Sequence, residues 1–218
     1  MLVKIGILIY GYFAGALIQA GYWMGKVNKI DIRDYGSGNA GTTNVMRTLG
    51  KKAGIATYLL DAFKAVIADI LIHFLIVPHT AIPEMLLFLY CGLGIVLGHN
   101  FPFYMQFKGG KGIAASGGMI VGLWDWRLVV ILLAAFIISV VVTRYVSVGS
   151  LTIMIGFFIL YTIFAIHGDY NFTSNAKMIE GIVLAGVIAG MAVIRHLPNI
   201  KRLIAGTENK LSFGSKTA

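Results

Sequence analysis

"GSGNAGTTN", residues 36–44, decides the fold. Read as Gly36-x-Gly38-x-x-Gly41, with Asp61 further along, it satisfies the fingerprint of a dinucleotide-binding turn, which would make the chain an α/β protein. That fingerprint has meaning only where a strand enters the turn, a helix leaves it and a parallel sheet surrounds both. Here an apolar run and a charged loop come before it, and a second apolar run follows that contains Asp61 itself. The nucleotide reading is set aside, and the glycines need another reason.

Working outward, the chain of 218 residues is 58% hydrophobic and only 12% charged, with a mean hydropathy of +0.82. Those values place it in a bilayer. Seven apolar runs stand out, at residues 2–23, 55–77, 85–98, 113–124, 128–142, 151–166 and 182–194. Crossing about 30 Å of hydrocarbon takes roughly 20 residues, so several of these helices are expected to be short or partial. The first run has no small-x-small site after it and most nearby positive charge lies beyond it, so it reads as an uncleaved helix. The expected fold is an all-α integral membrane protein of about seven transmembrane helices, one domain over residues 1–218.

Basic residues set the orientation. With the N-terminus outside, one face carries Lys26, Lys29, Arg33, Arg47, Lys51, Lys52, Lys108, Lys111, Arg144, Arg195, Lys201, Arg202, Lys210 and Lys216, while the other carries Lys4, Arg127 and Lys177. The richer face is expected in the cytoplasm, with the C-terminus. A net charge of +9 so concentrated also suits an anionic substrate or lipid surface. The single cysteine, Cys91, falls in an apolar run and reads as a small buried hydrophobe.

Three polar islands lie on the basic face. In the first, Gly36, Ser37, Gly38, Asn39 and Asn44, followed by Arg47, are expected to form a concave surface of donors for an anion. The second, "GHNFPFYMQFKGGKG" at residues 98–112, ends in Lys108, Gly109, Gly110, Lys111 and Gly112 before an apolar run. Lysines, bare amides and a helix start together read as a phosphate cradle. Pro102 is expected to interrupt the helix there, and Phe101, Phe103, Tyr104 and Phe107 to form an interfacial aromatic belt. The third, "RHLPNIKRLIAGTENK" at residues 195–210, brings His196 and Asn199 to one helical face if a helix continues past Pro198 or restarts at it. Glu208 reads as a salt-bridge acid.

Asp61 and Lys64, three apart in the second apolar run, read as a mutually neutralising pair, though ionisable groups at depth often mark function. His99 divides evenly between a structural and a functional role, whereas His73, His79 and His167 fall on or near the outer side and read as structural or surface residues. No group of residues has metal-ligand spacing, and no G-x-S-x-G elbow is present.

"GSGNAGTTNVMR", "GHNFPFYMQFKGGKG" and "RHLPNIKRLIAGTE" together resemble the three signature motifs of the bacterial acyl-phosphate:glycerol-3-phosphate acyltransferases, in order and spacing, over the whole chain. Tyr104, Ala115 and Pro198 depart from that family's pattern. The resemblance implies transfer of a fatty acyl group from acyl phosphate to the 1-hydroxyl of glycerol 3-phosphate, giving lysophosphatidate and phosphate, with no cofactor and no metal. It implies glycerol-phosphate binding for Gly109, Gly110 and Gly112, with Lys111 as the cation. On this reading Ser37, Asn39, Asn44 and Arg47 bind and polarise the acyl phosphate or its neighbour, and Ser147 and Ser150 are weaker phosphate contacts. His196 and Asn199 orient the attacking hydroxyl, with His196 or a substrate phosphate oxygen as proton acceptor. Implied partners are membrane lipids and a soluble acyl-phosphate synthase, not nucleic acid, and the implied location is the bacterial inner membrane. A phosphate-ester transporter is the rival class, since short, glycine-broken helices aimed at anions occur there too.

Overall fold

The computed structural model describes residues 1–211, all of them in helices or the connections between them. Lys216 lies outside the described residues. Ten α-helices follow in order: α1 (Leu2–Leu17), α2 (Ala20–Val27), α3 (Thr42–Leu49), α4 (Lys51–Leu75), α5 (Glu84–Asn100), α6 (Ile113–Gly122), α7 (Trp126–Thr143), α8 (Val146–His167), α9 (Asn175–Arg195) and α10 (Leu197–Ile204). Each of the seven apolar runs falls on this set.

Among the described residues, five stretches are long and apolar enough to cross a membrane: α1 with α2, α5, α7, α8 and α9. Helix α4 has the length, at 25 residues, but carries Asp61, Lys64 and Asp69, all buried. Helix α6 has ten residues, a rise of about 15 Å, or half the hydrocarbon thickness. The expectation of one unbroken helix over residues 2–23 is corrected: the chain kinks at Ile18 and Gln19. The carbonyls freed there are taken by Lys64, whose Nζ donates to Ile18 O at 2.6 Å and Gly15 O at 3.2 Å. A helix end inside a bilayer must find donors within the protein.

Helix α5 is the centre of the bundle, with Leu86 to Leu89, Ile95 and Val96 buried. It packs on α1 through two facing small-xxx-small pairs, Gly11 with Gly15 and Gly94 with Gly98. A Cβ at any of the four would run into the backbone of the opposite helix. Backbones this close maximise van der Waals contact where lipid gives no hydrophobic drive. Cys91 sits buried in the seam, as expected. Phe63, Ile67, Phe74, Val130, Ile138, Val142, Ile159 and Ile163 project outward, as residues facing acyl chains do.

One end of the bundle is tied by ion pairs: Lys4 of α1 with Glu180 of α9 at 2.5 Å, and Arg127 of α7 with its own N-cap Asp125 at 2.8 Å and with Asp169, beyond α8, at 3.0 Å. His73 and His167 join it through Glu84 and Asp169. The three polar islands meet at the opposite end.

Candidate active site

The islands surround a cleft of about 420 Å³. Its lining includes Ser37, Asn39, Asn44 and Arg47 from the first island and Lys111 and Gly112 from the second. His196, Asn199 and Glu208 of the third join them, with Ser147 and Ser150 of α8, Asp61 and His99. Asp61 lies ten residues beyond the start of α4, about 15 Å along its axis. The cleft therefore runs from the polar end to the middle depth of the bundle, where the short α6 begins. Met46, Tyr58, Ile113, Ala114, Phe136 and Val146 give it an apolar wall.

The first island is a loop wound around one side chain. Asn44 Oδ1 accepts from Ser37 N at 2.8 Å, and its Nδ2 donates to Ile32 O at 3.0 Å and Tyr35 O at 2.9 Å. Both polar atoms are spent on backbone, so Asn44 shapes the loop; its expected role as a ligand is corrected to that of a scaffold. Gly36 and Gly38 have φ of +59° and +69° and supply left-handed turns, but lie off the cleft. Ser37 and Arg47 are exposed on it. Arg33 pairs with Asp31 at 2.6 Å and reaches Met105 O at 3.1 Å, tying this island to the second.

In the second island the expected cradle is corrected. The amides of Gly109 and Gly110 are not bare, because they donate to Asn100 O and His99 O, each at 3.1 Å. The loop folds back to cap the end of α5, and glycine is required because a Cβ at 109 would strike His99 O and one at 110 the His99 ring. Their carbonyls accept from Arg195 Nη2 at 3.1 and 2.8 Å. Lys108 is exposed and off the cleft lining. What remains for an anion is Lys111 with the first turn of α6, whose amides have no intrahelical partner. Burial above all, reinforced by Arg202 and Arg195 and opposed by Glu208, brings the Lys111 ammonium down to about 8. The helix does end at Asn100, two residues before Pro102. Phe103 and Phe107 are exposed, but Tyr104 turns inward: its hydroxyl donates to Ala16 O at 2.9 Å and its ring stacks on Trp23, so it is no part of a belt.

Helix α9 stops at Arg195 and α10 restarts at Leu197, with His196 as the joint and Pro198 in the first turn, where a missing N–H costs nothing. His196 is 2% exposed, and its Nδ1 lies 2.8 Å from Ala192 O. A carbonyl can only accept, so Nδ1 carries the proton and Nε2 keeps a lone pair. Burial outweighs that hydrogen bond and pushes the imidazole down to about 4; it is neutral at neutral pH. Asn199 accepts from Lys111 Nζ through Oδ1 and donates to Glu208 Oε1 at 2.7 Å through Nδ2. Glu208 also pairs with Arg202 at 2.7 Å. Burial pushes the Glu208 carboxyl up, but the bonds from Asn199 and Arg202 hold it below its ordinary value.

Ser150 donates to Val146 O at 2.9 Å within its own helix, whereas the buried Ser147 hydroxyl has no such partner among the described residues and sits beside Glu208. Asp61 and Lys64 form the expected pair at 2.9 Å, and Lys64 Nζ lies 3.0 Å from His99 Nδ1. Lys64 itself is beneath the cleft, not on it.

Several cleft residues escaped the sequence reading. Lys51 and Arg202 were indistinguishable from positive-inside anchors, and Thr42 and Thr43 were swallowed by the knot they belong to. Gln19, fully buried, donates to His99 O at 2.7 Å from the kink after α1; its one signal was an amide isolated in an apolar run.

A model of the family described as glycerol-3-phosphate acyltransferase matches residues 5–206. The chain is 38% identical over 234 residues to a glycerol-3-phosphate acyltransferase of Chlorobium phaeobacteroides, covering 98% of this chain and 99% of the relative. It is 40% identical over 209 residues to that of Thermoanaerobacter pseudethanolicus, covering 96% and 95%. Its fold is similar to the crystal structure of PlsY (YgiH), an integral membrane glycerol 3-phosphate acyltransferase, in the glycerol 3-phosphate form, with a TM-score of 0.81, 31% identity and 96% of each chain covered. The lysophosphatidic acid form of the same protein gives 0.78 at 31% identity, over 96% of this chain and 95% of that one. With the family model spanning nearly the whole described chain and the fold shared, this protein belongs to the glycerol-3-phosphate acyltransferase family.

Proposed function

We propose that the chain transfers a fatty acyl group from acyl phosphate to the 1-hydroxyl of sn-glycerol 3-phosphate at the cytoplasmic face of a bacterial cell membrane. The products are lysophosphatidate and inorganic phosphate. The observation that carries this is the meeting, in one cleft, of five cations with a neutral imidazole whose Nε2 can accept a proton. Arg47, Lys51, Lys111, Arg202 and Lys210 offset the charge of two phosphorylated reactants. The apolar wall suits the acyl chain.

An acyl phosphate is a mixed anhydride whose phosphate leaves readily, so alignment and charge stabilisation suffice without an acyl-enzyme. The hydroxyl oxygen attacks the carbonyl carbon, the carbon–oxygen bond to phosphate breaks, and the hydroxyl proton passes to His196 Nε2 or to the leaving phosphate. Asn199, Lys111, Ser37, Arg47 and Ser147 hold the reactants. Seven crossings with the N-terminus outside accord with the surplus of Lys and Arg at the cleft end. A soluble acyl-phosphate synthase is the partner this chemistry calls for on the basic loops.

Purified protein in detergent, given palmitoyl phosphate and glycerol 3-phosphate, is expected to release phosphate only when both are present. A transporter would release none without a sealed compartment, and that result would overturn the assignment.

A further inference from the structure

We propose that Arg195 is a positioning residue for glycerol 3-phosphate: its guanidinium clamps the Gly109–Gly110 turn and so fixes Lys111 in the cleft. This rests on the reading above, in which Lys111 is a cation that holds a reactant. A basic residue at the end of a membrane-crossing helix ordinarily reaches toward headgroups and water. Arg195, the last residue of α9, turns inward instead. It is half-buried, its Nη2 donates to Gly109 O at 3.1 Å and Gly110 O at 2.8 Å, and its Cζ lies 5.3 Å from the centre of the Phe101 ring. Its Nε is enclosed by protein, and the residue does not line the cleft. A guanidinium spent on two carbonyls outside the cleft is not itself a phosphate ligand.

Two glycines in succession have the greatest backbone freedom of any pair. The lysine that follows them is therefore only as well placed as the turn is tied. The end of α5 ties the amide side, through Gly109 N to Asn100 O and Gly110 N to His99 O. Arg195 ties the carbonyl side. A planar guanidinium loses little freedom for each bond it makes, and the C-terminal end of α9 favours its positive charge. The ring of Phe101, the residue that ends α5, gives it a seat.

His196 follows Arg195 directly, and Asn199, one turn on, takes the Lys111 ammonium through Oδ1. One stretch of five residues, 195–199, thus holds both the turn and the lysine. Without the clamp, Lys111 would keep its charge but lose its aim, which weakens binding. His196 has its own bond to Ala192 O, so turnover of bound substrate should be spared.

The test uses the full chain in detergent and begins with hydrogen exchange, which needs no substrate. In Arg195→Met, peptides covering residues 106–112 should exchange faster than in the wild type, while residues 178–190 of α9 keep their protection. Unchanged exchange at 106–112, or a loss spread through α9 as well, would overturn the proposal. Phosphate release then gives a double-mutant cycle with Lys111→Met. Arg195→Met should raise KM for glycerol 3-phosphate about ten-fold or more in the wild-type background. In Lys111→Met the same change should add less than about two-fold, because a clamp that acts through Lys111 has nothing left to aim. Losses that multiply would make Arg195 an independent ligand or a general prop and would sink the proposal. So would a fall in kcat with KM unmoved, since lost binding alone leaves kcat in place. Wild-type protein that releases no phosphate would instead defeat the acyl-phosphate reading, and the exchange result would still decide whether Arg195 holds the turn.

Discussion

Lys111 Nζ donates to Asn199 Oδ1, joining residues 88 positions apart in the chain. The bond fixes the one partly buried cation of the second island against the third, and Glu208 and Arg202 brace it from behind. Lys111→Met removes a charged donor and strands the Asn199 oxygen. A hydrogen bond to a charged group is worth about 1.5–3 kcal/mol, so KM for glycerol 3-phosphate should rise about 10- to 100-fold, with Lys111→Arg in between. Steady-state phosphate release checks it.

The same lysine sets an alkaline limit. Its value of about 8 lies below the ordinary lysine range, so the free enzyme loses this positive charge as pH rises through 8. The ratio kcat/KM should decline above that pH in the wild type and show no such limb in Lys111→Met.

His196→Ala should lower kcat by about 10²- to 10⁴-fold if its Nε2 takes the proton; an unchanged kcat assigns that proton to the leaving phosphate. With the wild-type imidazole at about 4, activity should stay level down the acid side until pH nears 4. The sign for stability follows from a folded value depressed below 6.5: the unfolded chain takes up a proton first. Resistance to thermal unfolding in detergent should fall between pH 6.5 and 4, and this decline should be smaller in His196→Ala.

Asn44→Ala leaves Ser37 N, Ile32 O and Tyr35 O without their shared partner. Ile32 O is the buried one of the three, and a buried group left unpaired costs about 1–3 kcal/mol, so the loop of residues 36–41 should lose hydrogen-exchange protection and activity together. Asn44→Asp should fare no better, since it restores the acceptor for Ser37 while setting a carboxylate against two carbonyls.

Gly110→Ala and Gly38→Ala should separate two uses of glycine. At 110 the added methyl strikes His99, and turnover should collapse although the Gly110 amide is already bonded to His99 O. At 38 the nearest atom to an added Cβ is Arg33 O at 3.4 Å. The cost there is that of a left-handed turn, about 1–2 kcal/mol, and activity should persist.

Much of this was legible in the chain itself. Apolar runs and the imbalance of Lys and Arg announced a helical membrane protein, because the bilayer punishes polar backbone and charge in proportion to residue type alone. His196, Asn199 and Lys111 were legible because polar residues beside apolar helices have few other uses. What could not be read was which atom faces which. Gly109 and Gly110 looked like phosphate amides because nothing in "KGGKG" says that the end of α5 returns to claim them. Asn44 looked like a ligand because its three bonds are to residues brought near only by the folded loop. The kink at Ile18 depends on Lys64, 46 residues away.

The four-glycine seam between α1 and α5 sets which half of the bundle can adapt its shape. Main chain touching main chain has no rotamers to adjust, so this seam acts as a keel. On the proposed reaction the tail would be accommodated at the apolar wall of the cleft, where Phe136 of α7 and Val146 of α8 stand with Met46, Tyr58 and Ile113 as replaceable side chains. Smaller residues at positions 136 and 146 should shift the preferred donor toward longer or bulkier chains and leave the polar chemistry as it stands.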